Sequence, residues 1–224
     1  MTIRLIKPDH LIVIARTLAE GVDYVADTLR VAPTLVEADS GTGCRSARLA
    51  LWQGLYLEVV AADDAAAPAQ TPRWHGLDGA AIRLRAAHGP FLAHWVARVE
   101  RPRHLARWAA QYPRRIPAVR TVRHGARSAS AALEPGGGFP AWRGAGDGLL
   151  PTLMQWDEAP HPAASLPGTG IALKALRGFH PAPELIGEHL RWLGLDTVLT
   201  VEPTLVEPSL FAEFDTPAGV RTLK

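Results

Sequence analysis

Residues 9–29 read DHLIVIARTLAEGVDYVADTL, and the two halves follow different periods. HLIVIA is a dense apolar run that reads as a buried strand. From Leu18 onward the apolar residues Leu18, Val22, Val25, Ala26 and Leu29 recur at helical spacing. Three strand-like runs follow: TLVEA (34–38), SARLALW (46–52) and GLYLEVVA (54–61). The order is strand, helix, strand, strand, strand.

That order returns twice. FLAHWVARV at 91–99 opens a second unit, with Pro102 in the first turn of a helix running through Trp108 toward Tyr112. Its later strands are RTVR (120–123), SASAALE (128–134) and LLPTLMQW (149–156), with the Gly-rich 136–148 segment as a long loop before the last. A third unit, 170–224, holds IALKALRGF, a helix from about Pro183 to Leu195, then TVLTVEP, LFAEFD and GVRTL. Gly- and Pro-rich breaks at 61–73 and 158–170 separate the units, and a third break at 134–148 lies inside the second. One βαβββ unit leaves a sheet face uncovered by its own helix, so two must pair. The expected class is α+β, built from tandem βαβββ modules.

Length and composition set no further demand. A chain of 224 residues can bury a real core without disulfides. Its single cysteine, Cys44, excludes an internal disulfide and frames no Cys/His motif, so it reads as a packed thiol. MTIRLIKPDHLIVIA is interrupted by Arg4, Lys7, Asp9 and His10, unlike a signal peptide, and no apolar run reaches the length of a membrane span. The expectation is a soluble, cytoplasmic protein with no membrane partner. Net charge is +2, and nine arginines against one acid between Arg98 and Arg127 form the one charge asymmetry. Interleaved aromatics and a nucleic-acid reading fold do not accompany them, so a solvated face, or an arginine near an anionic small substrate, is expected rather than a nucleic-acid partner.

DHLIVIA with His10, LYLEVVA with Glu58, FLAHWVARV with His94 and LLPTLMQWD with Gln155 resemble the vicinal oxygen chelate superfamily, in its glyoxalase-like branch, the glyoxalase/bleomycin resistance/dioxygenase group. The QWD and PHPA phrases around Trp156 and His161 carry the resemblance to about residue 164. It implies two modules, about 6–63 and 90–158, paired into a curled sheet with a central cleft. It also implies a divalent metal held by the first and last strand of each module, at His10, Glu58, His94 and Gln155. Glu58 would then be ligand and catalytic base. The neutral Gln155 departs from the glutamate often found at that place.

The residues can be weighed without the name. His10, Glu58, His94 and Gln155 are single polar groups on four apolar strands and should converge. Two imidazoles and a carboxylate suit Fe, Mn, Ni or Zn. A metal-free cluster, His10 bonding Glu58 and His94 bonding Gln155, is the alternative. Alternation puts Tyr56, Glu58 and Val60 on one strand face. If His94 and Gln155 face the cleft, Trp95 and Trp156 point into the helix layer. Tyr56 is a candidate donor to a substrate oxygen, or a tyrosine satisfied by a neighbour. His75, His88 and His161 lie in loops and read as exposed, and the 134–148 loop as a cover carrying Phe139 and Trp142 or as plain surface.

The functions that follow are a cleft binding a small oxygen-rich ligand, with metal-dependent isomerase, lyase or dioxygenase chemistry, or a metal-free sequestering protein of the antibiotic-resistance type. A purely structural module is the third. Residues 1–164 are expected to form the glyoxalase-like domain, and 170–224 a structural unit whose apolar face, with Leu199, Val201, Phe211 and Phe214, either packs on the outside of the paired modules or meets its equivalent in another chain; a homodimer with its interface in 170–224 is the expectation.

Overall fold

The computed structural model describes residues 5–36, 43–63, 72–124, 127–157 and 160–224. The first module runs β1 (Ile6–Ile14), α1 (Leu18–Leu29), β2 (Thr34–Leu35), β3 (Cys44–Leu51) and β4 (Leu55–Ala62). A helix the sequence did not announce, α2 (Ala80–Ala87), precedes the second module: β5 (Phe91–Val99), α3 (Leu105–Gln111), β6 (Val119–His124), β7 (Arg127–Ala132) and β8 (Thr152–Trp156). The third unit is β9 (Ala172–His180), α4 (Pro183–Leu193), β10 (Leu199–Pro203), β11 (Ser209–Thr216) and β12 (Gly219–Leu223). TLVEA shortens to β2, and its last two residues, 37 and 38, lie outside the described residues.

The two modules make one eight-stranded sheet in the order β2-β3-β4-β1-β5-β8-β7-β6. In each, the first strand runs parallel to the last, β1 beside β4 and β5 beside β8, and antiparallel β1–β5 pairing joins them. This is the expected curled pair of modules. α1 begins where the Thr17 hydroxyl accepts the Glu20 N–H at 3.2 Å and ends where Arg30 turns left-handed. Its Gly21 lies so close to Val59 that no methyl would fit, which lets the helix sit directly on β4.

The third unit keeps the element order but not the pairing. Its separate sheet runs β10-β9-β11-β12, so β9 lies parallel to the strand after its helix, not to the last strand. It packs against the helix-covered side of the large sheet. Leu176, Ile186, Leu190, Leu199 and Phe214 share one buried core with Leu11, Leu57, Trp95 and Leu149. Main-chain bonds pin the seam, Trp52 N–H to Ile171 O and Leu92 N–H to Lys224 O, each 2.8 Å. Of the apolar face expected to form a homodimer through 170–224, Leu199 and Phe214 are buried in this core and Val201 packs against it, so that part is covered within the chain; Phe211 instead stands on the other side of the small sheet, beside Phe179.

The opposite, concave face of the sheet has its own apolar cluster: Ile12, Ile14, Val60, Phe91, Val96 and Met154. Leu77, Ile82 and Ala86, from α2 and the turn before it, pack onto it, and so does Phe139 from the Gly-rich loop. No helix among the described residues is long and apolar enough to cross a membrane.

Candidate functional site

β1 supplies two neighbouring polar side chains to the concave face. A register shift between Pro8 and His10 interrupts the alternation, so Asp9 and His10 are both buried on the same side. His10 Nδ1 lies 2.6 Å from Asp9 Oδ1. The other carboxylate oxygen accepts the Trp156 indole N–H at 3.0 Å and the His161 Nε2 proton at 2.8 Å, and Arg98 Nη1 lies 3.9 Å away. Burial pushes the Asp9 carboxyl up, but the hydrogen bonds and charge of His10 and His161 outweigh it and hold it far below the usual carboxylate range.

β4 brings the second carboxylate. Glu58 lies directly across from Arg48 on β3, and Arg48 Nε donates to its Oε1 at 3.0 Å. Glu58 Oε2 is 3.8 Å from His10 Nε2. Tyr56 stacks on His10 with ring centres 4.5 Å apart, near Arg48 at 5.5 Å and the tilted His161 ring at 5.7 Å. Among the described residues, the hydroxyl of this fully buried tyrosine has no hydrogen-bond partner. Burial first, then the charges of Glu58 and Asp9, push its pKa well above the ordinary value. Tyr56 therefore carries its proton and acts as a donor.

His10 and Glu58 approach within 3.8 Å, and His94 and Gln155 do not join them. His94 is on the concave side, touching Phe139 and His75 at 4.7 and 5.8 Å between ring centres. Both of its nitrogens are taken: Nδ1 donates to Gly148 O at 2.9 Å, and Nε2 accepts from the Thr152 N–H at 3.2 Å and lies 2.9 Å from the Thr152 hydroxyl. Burial lowers its pKa to about 3, so the ring is neutral.

Gln155 points to the other face of the sheet. Its Oε1 accepts the Leu105 N–H at 3.0 Å, at the start of α3, and its amide donates to Val99 O at 3.2 Å and Arg103 O at 2.8 Å. The expected facing of β8 is corrected by one residue: Met154 and Trp156 face the cleft, and Gln155 braces the β5–α3 connection. Trp95 is core as expected, but Trp156 is not in the helix layer.

The four expected ligands therefore do not fit one ion. The His94 lone pair serves Thr152, Gln155 lies behind the sheet, and the carboxylate of Glu58 already carries a guanidinium. Among the described residues, no group of three or more His, Cys, Asp or Glu is arranged to hold a metal.

Asp9, Arg48, Trp156 and His161 are the members the sequence did not mark out. Two adjacent polar residues after Pro8 in an apolar strand are the signature of a bulge. A lone arginine in SARLALW called for a carboxylate on the neighbouring strand. His161 is not an exposed loop residue, since its Nε2 reaches Asp9. The Gly-rich loop divides its aromatics: Phe139 covers His94, and Trp142 turns to the third unit, with its ring centre 5.5 Å from that of His189 and the Arg115 guanidinium of the second module 4.2 Å from its ring.

A family model described as a glyoxalase-like domain matches residues 9–194, both modules and the third unit as far as α4. No curated protein matches. Among solved structures, a hypothetical protein from Staphylococcus aureus aligns with TM-score 0.59 and 10% identity, over 91% of this chain and 88% of its own. Methylmalonyl-CoA epimerase from Mycobacterium tuberculosis aligns with TM-score 0.43 and 18% identity, over 74% and 97%. A hypothetical protein from Bacillus halodurans gives TM-score 0.43 and 15% identity, over 69% and 96%.

Proposed function

Because the chain belongs to the glyoxalase-like domain family, we propose that it binds a small, oxygen-rich anion on the first module, at Tyr56, His10, Glu58 and Arg48, without an ion shared between the two modules. The observation that carries this is the Tyr56 hydroxyl, fully buried and without a hydrogen-bond partner among the described residues. An orphaned buried donor costs about 1–3 kcal/mol, and a ligand oxygen is the natural acceptor to recover it. Arg48 and Arg98, with the positive charge of Arg127 acting on Tyr56, offset Asp9 and Glu58, so the surroundings tolerate an incoming negative group. Asp9 fixes the His10 ring, and Arg48 fixes Glu58. Glu58 is the carboxylate the sequence put forward as a base, and its Oε2, 3.8 Å from His10 Nε2, supports reading it as the group that would take a proton from the bound ligand.

Oxalate and malonate are suitable probes, since each presents adjacent or closely spaced oxygens. At ten times Kd, binding stabilises the folded state by about 1.4 kcal/mol, or roughly 3–5 °C in Tm for a chain of this size. That rise is expected in the wild type and is lost in Tyr56→Phe. No shift with either anion, or an equal shift in Tyr56→Phe, contradicts the proposal.

A further inference from the structure

We infer a second ligand site, for a small apolar carboxylic acid about the size of benzoate, between α2 and the carboxyl-terminal ends of β1 and β4. A cavity of about 160 Å³ lies there, walled by Ile14, Ala15, Leu77, Ile82 and Ala86, with Arg16 and Arg83 on its lining. Among the described residues, every lining side chain other than the two arginines is aliphatic, so this half-open space favours a ligand with an apolar body. Alanines make the space: Ala15, Ala62 and Ala86 line it where longer side chains would fill it. A dry apolar cavity of about 150 Å³ is large enough for a benzene ring.

The two arginines select the charge. Their side chains are 64% and 53% exposed, at the solvent side of the cavity. Arg16 pairs with Glu20, and Arg83 Nη2 lies 3.8 Å from Asp78 while its Nε donates to Leu77 O. Exposed pairs of this kind contribute little, and each guanidinium has five N–H donors, so both can serve their present partners and a ligand carboxylate.

The site is separate from the Tyr56 cluster. Ile14 is four residues beyond His10 along β1, about 13 Å at about 3.3 Å per residue. Buried Ile12 and Val60 stand between.

The test is a titration of the full-length protein with benzoate, followed by methyl NMR. Saturable binding with Kd on the order of 1 mM is expected for nine heavy atoms. Ring-to-methyl nuclear Overhauser effects should fall on Ile14, Leu77 and Ile82. Benzamide, the neutral isostere, should bind about tenfold more weakly, as should benzoate to the Arg16→Gln/Arg83→Gln variant. Ala86→Leu should abolish binding, and Tyr56→Phe should leave it unchanged, which separates this site from the anion site on the first module. Absence of the ring-to-methyl effects, equal affinity for benzoate and benzamide in the wild type, or full affinity in a folded Ala86→Leu variant overturns the inference.

Discussion

His10 Nδ1 lies 2.6 Å from a carboxylate oxygen of Asp9, the residue before it in the chain, because the register shift in β1 puts both side chains on one face of the sheet. Asp9 thereby becomes the hub of the first-module cluster, with three N–H groups on its two oxygens and a guanidinium beyond.

Asp9→Asn should be costly. The amide keeps one oxygen acceptor but turns an NH₂ donor toward groups that themselves donate. Loss of a charged hub in a buried network is expected to cost about 2–4 kcal/mol, read as a lower urea midpoint with an unchanged m-value. The indole of Trp156 should gain solvent access, measurable as a red-shifted fluorescence. A midpoint within error of the wild type would mean that Asp9 is not the hub.

Gln155→Glu distinguishes a metal ligand from a brace. A ligand at this position would gain affinity for an ion with the added charge. The observed contacts predict the reverse of a gain: a carboxylate in place of the amide faces the Val99 and Arg103 carbonyls with no donor to offer. The variant should lose about 2 kcal/mol or more of stability and acquire no metal. Increased thermal stability on adding Mn²⁺ or Zn²⁺ to Gln155→Glu would count against the brace.

Acid should unfold the protein partly through two histidines. Burial holds His94 near 3 and His189 near 4; for His189 the charge of Arg115 adds to burial. Both folded-state values lie below the ordinary histidine value of about 6.5, so on acidification the unfolded chain takes up these protons first. Their contribution is fully present above about pH 6.5 and is lost as pH falls toward 4 for His189 and 3 for His94. Near pH 5 the two together approach two protons, a slope of about 2.7 kcal/mol per pH unit. Urea midpoints between pH 7 and 4.5 test this: a flat profile contradicts it, and His189→Gln should remove close to half of the histidine contribution.

Most of the architecture was legible because periodicity reports burial. The sequence pattern placed α1 at Leu18–Leu29 and β5 at Phe91–Val99, as observed. Two features were not legible. α2 buries one residue of its own, Ala86, and so lacks an apolar stripe to announce it. The third unit has the strand and helix order of the modules, and order alone does not encode which strand β9 pairs with. The nearness of His10 and Glu58, both buried, was legible because each interrupts an apolar run on a strand of known facing. Gln155 was misplaced because β8 is five residues long, too short for alternation to fix its facing without its neighbours. Asp9 was hidden by the bulge, which breaks the period-two rule used to assign faces.

The most direct measurement is metal content per chain, by plasma mass spectrometry, for wild type, His10→Ala and His94→Ala purified without chelator or an affinity metal. With His94 bonded to Gly148 and Thr152 and Gln155 behind the sheet, no ion shared between the two modules is expected, and metal content should be the same in wild type and His94→Ala. One ion per chain in the wild type, lost in both His10→Ala and His94→Ala, would contradict it.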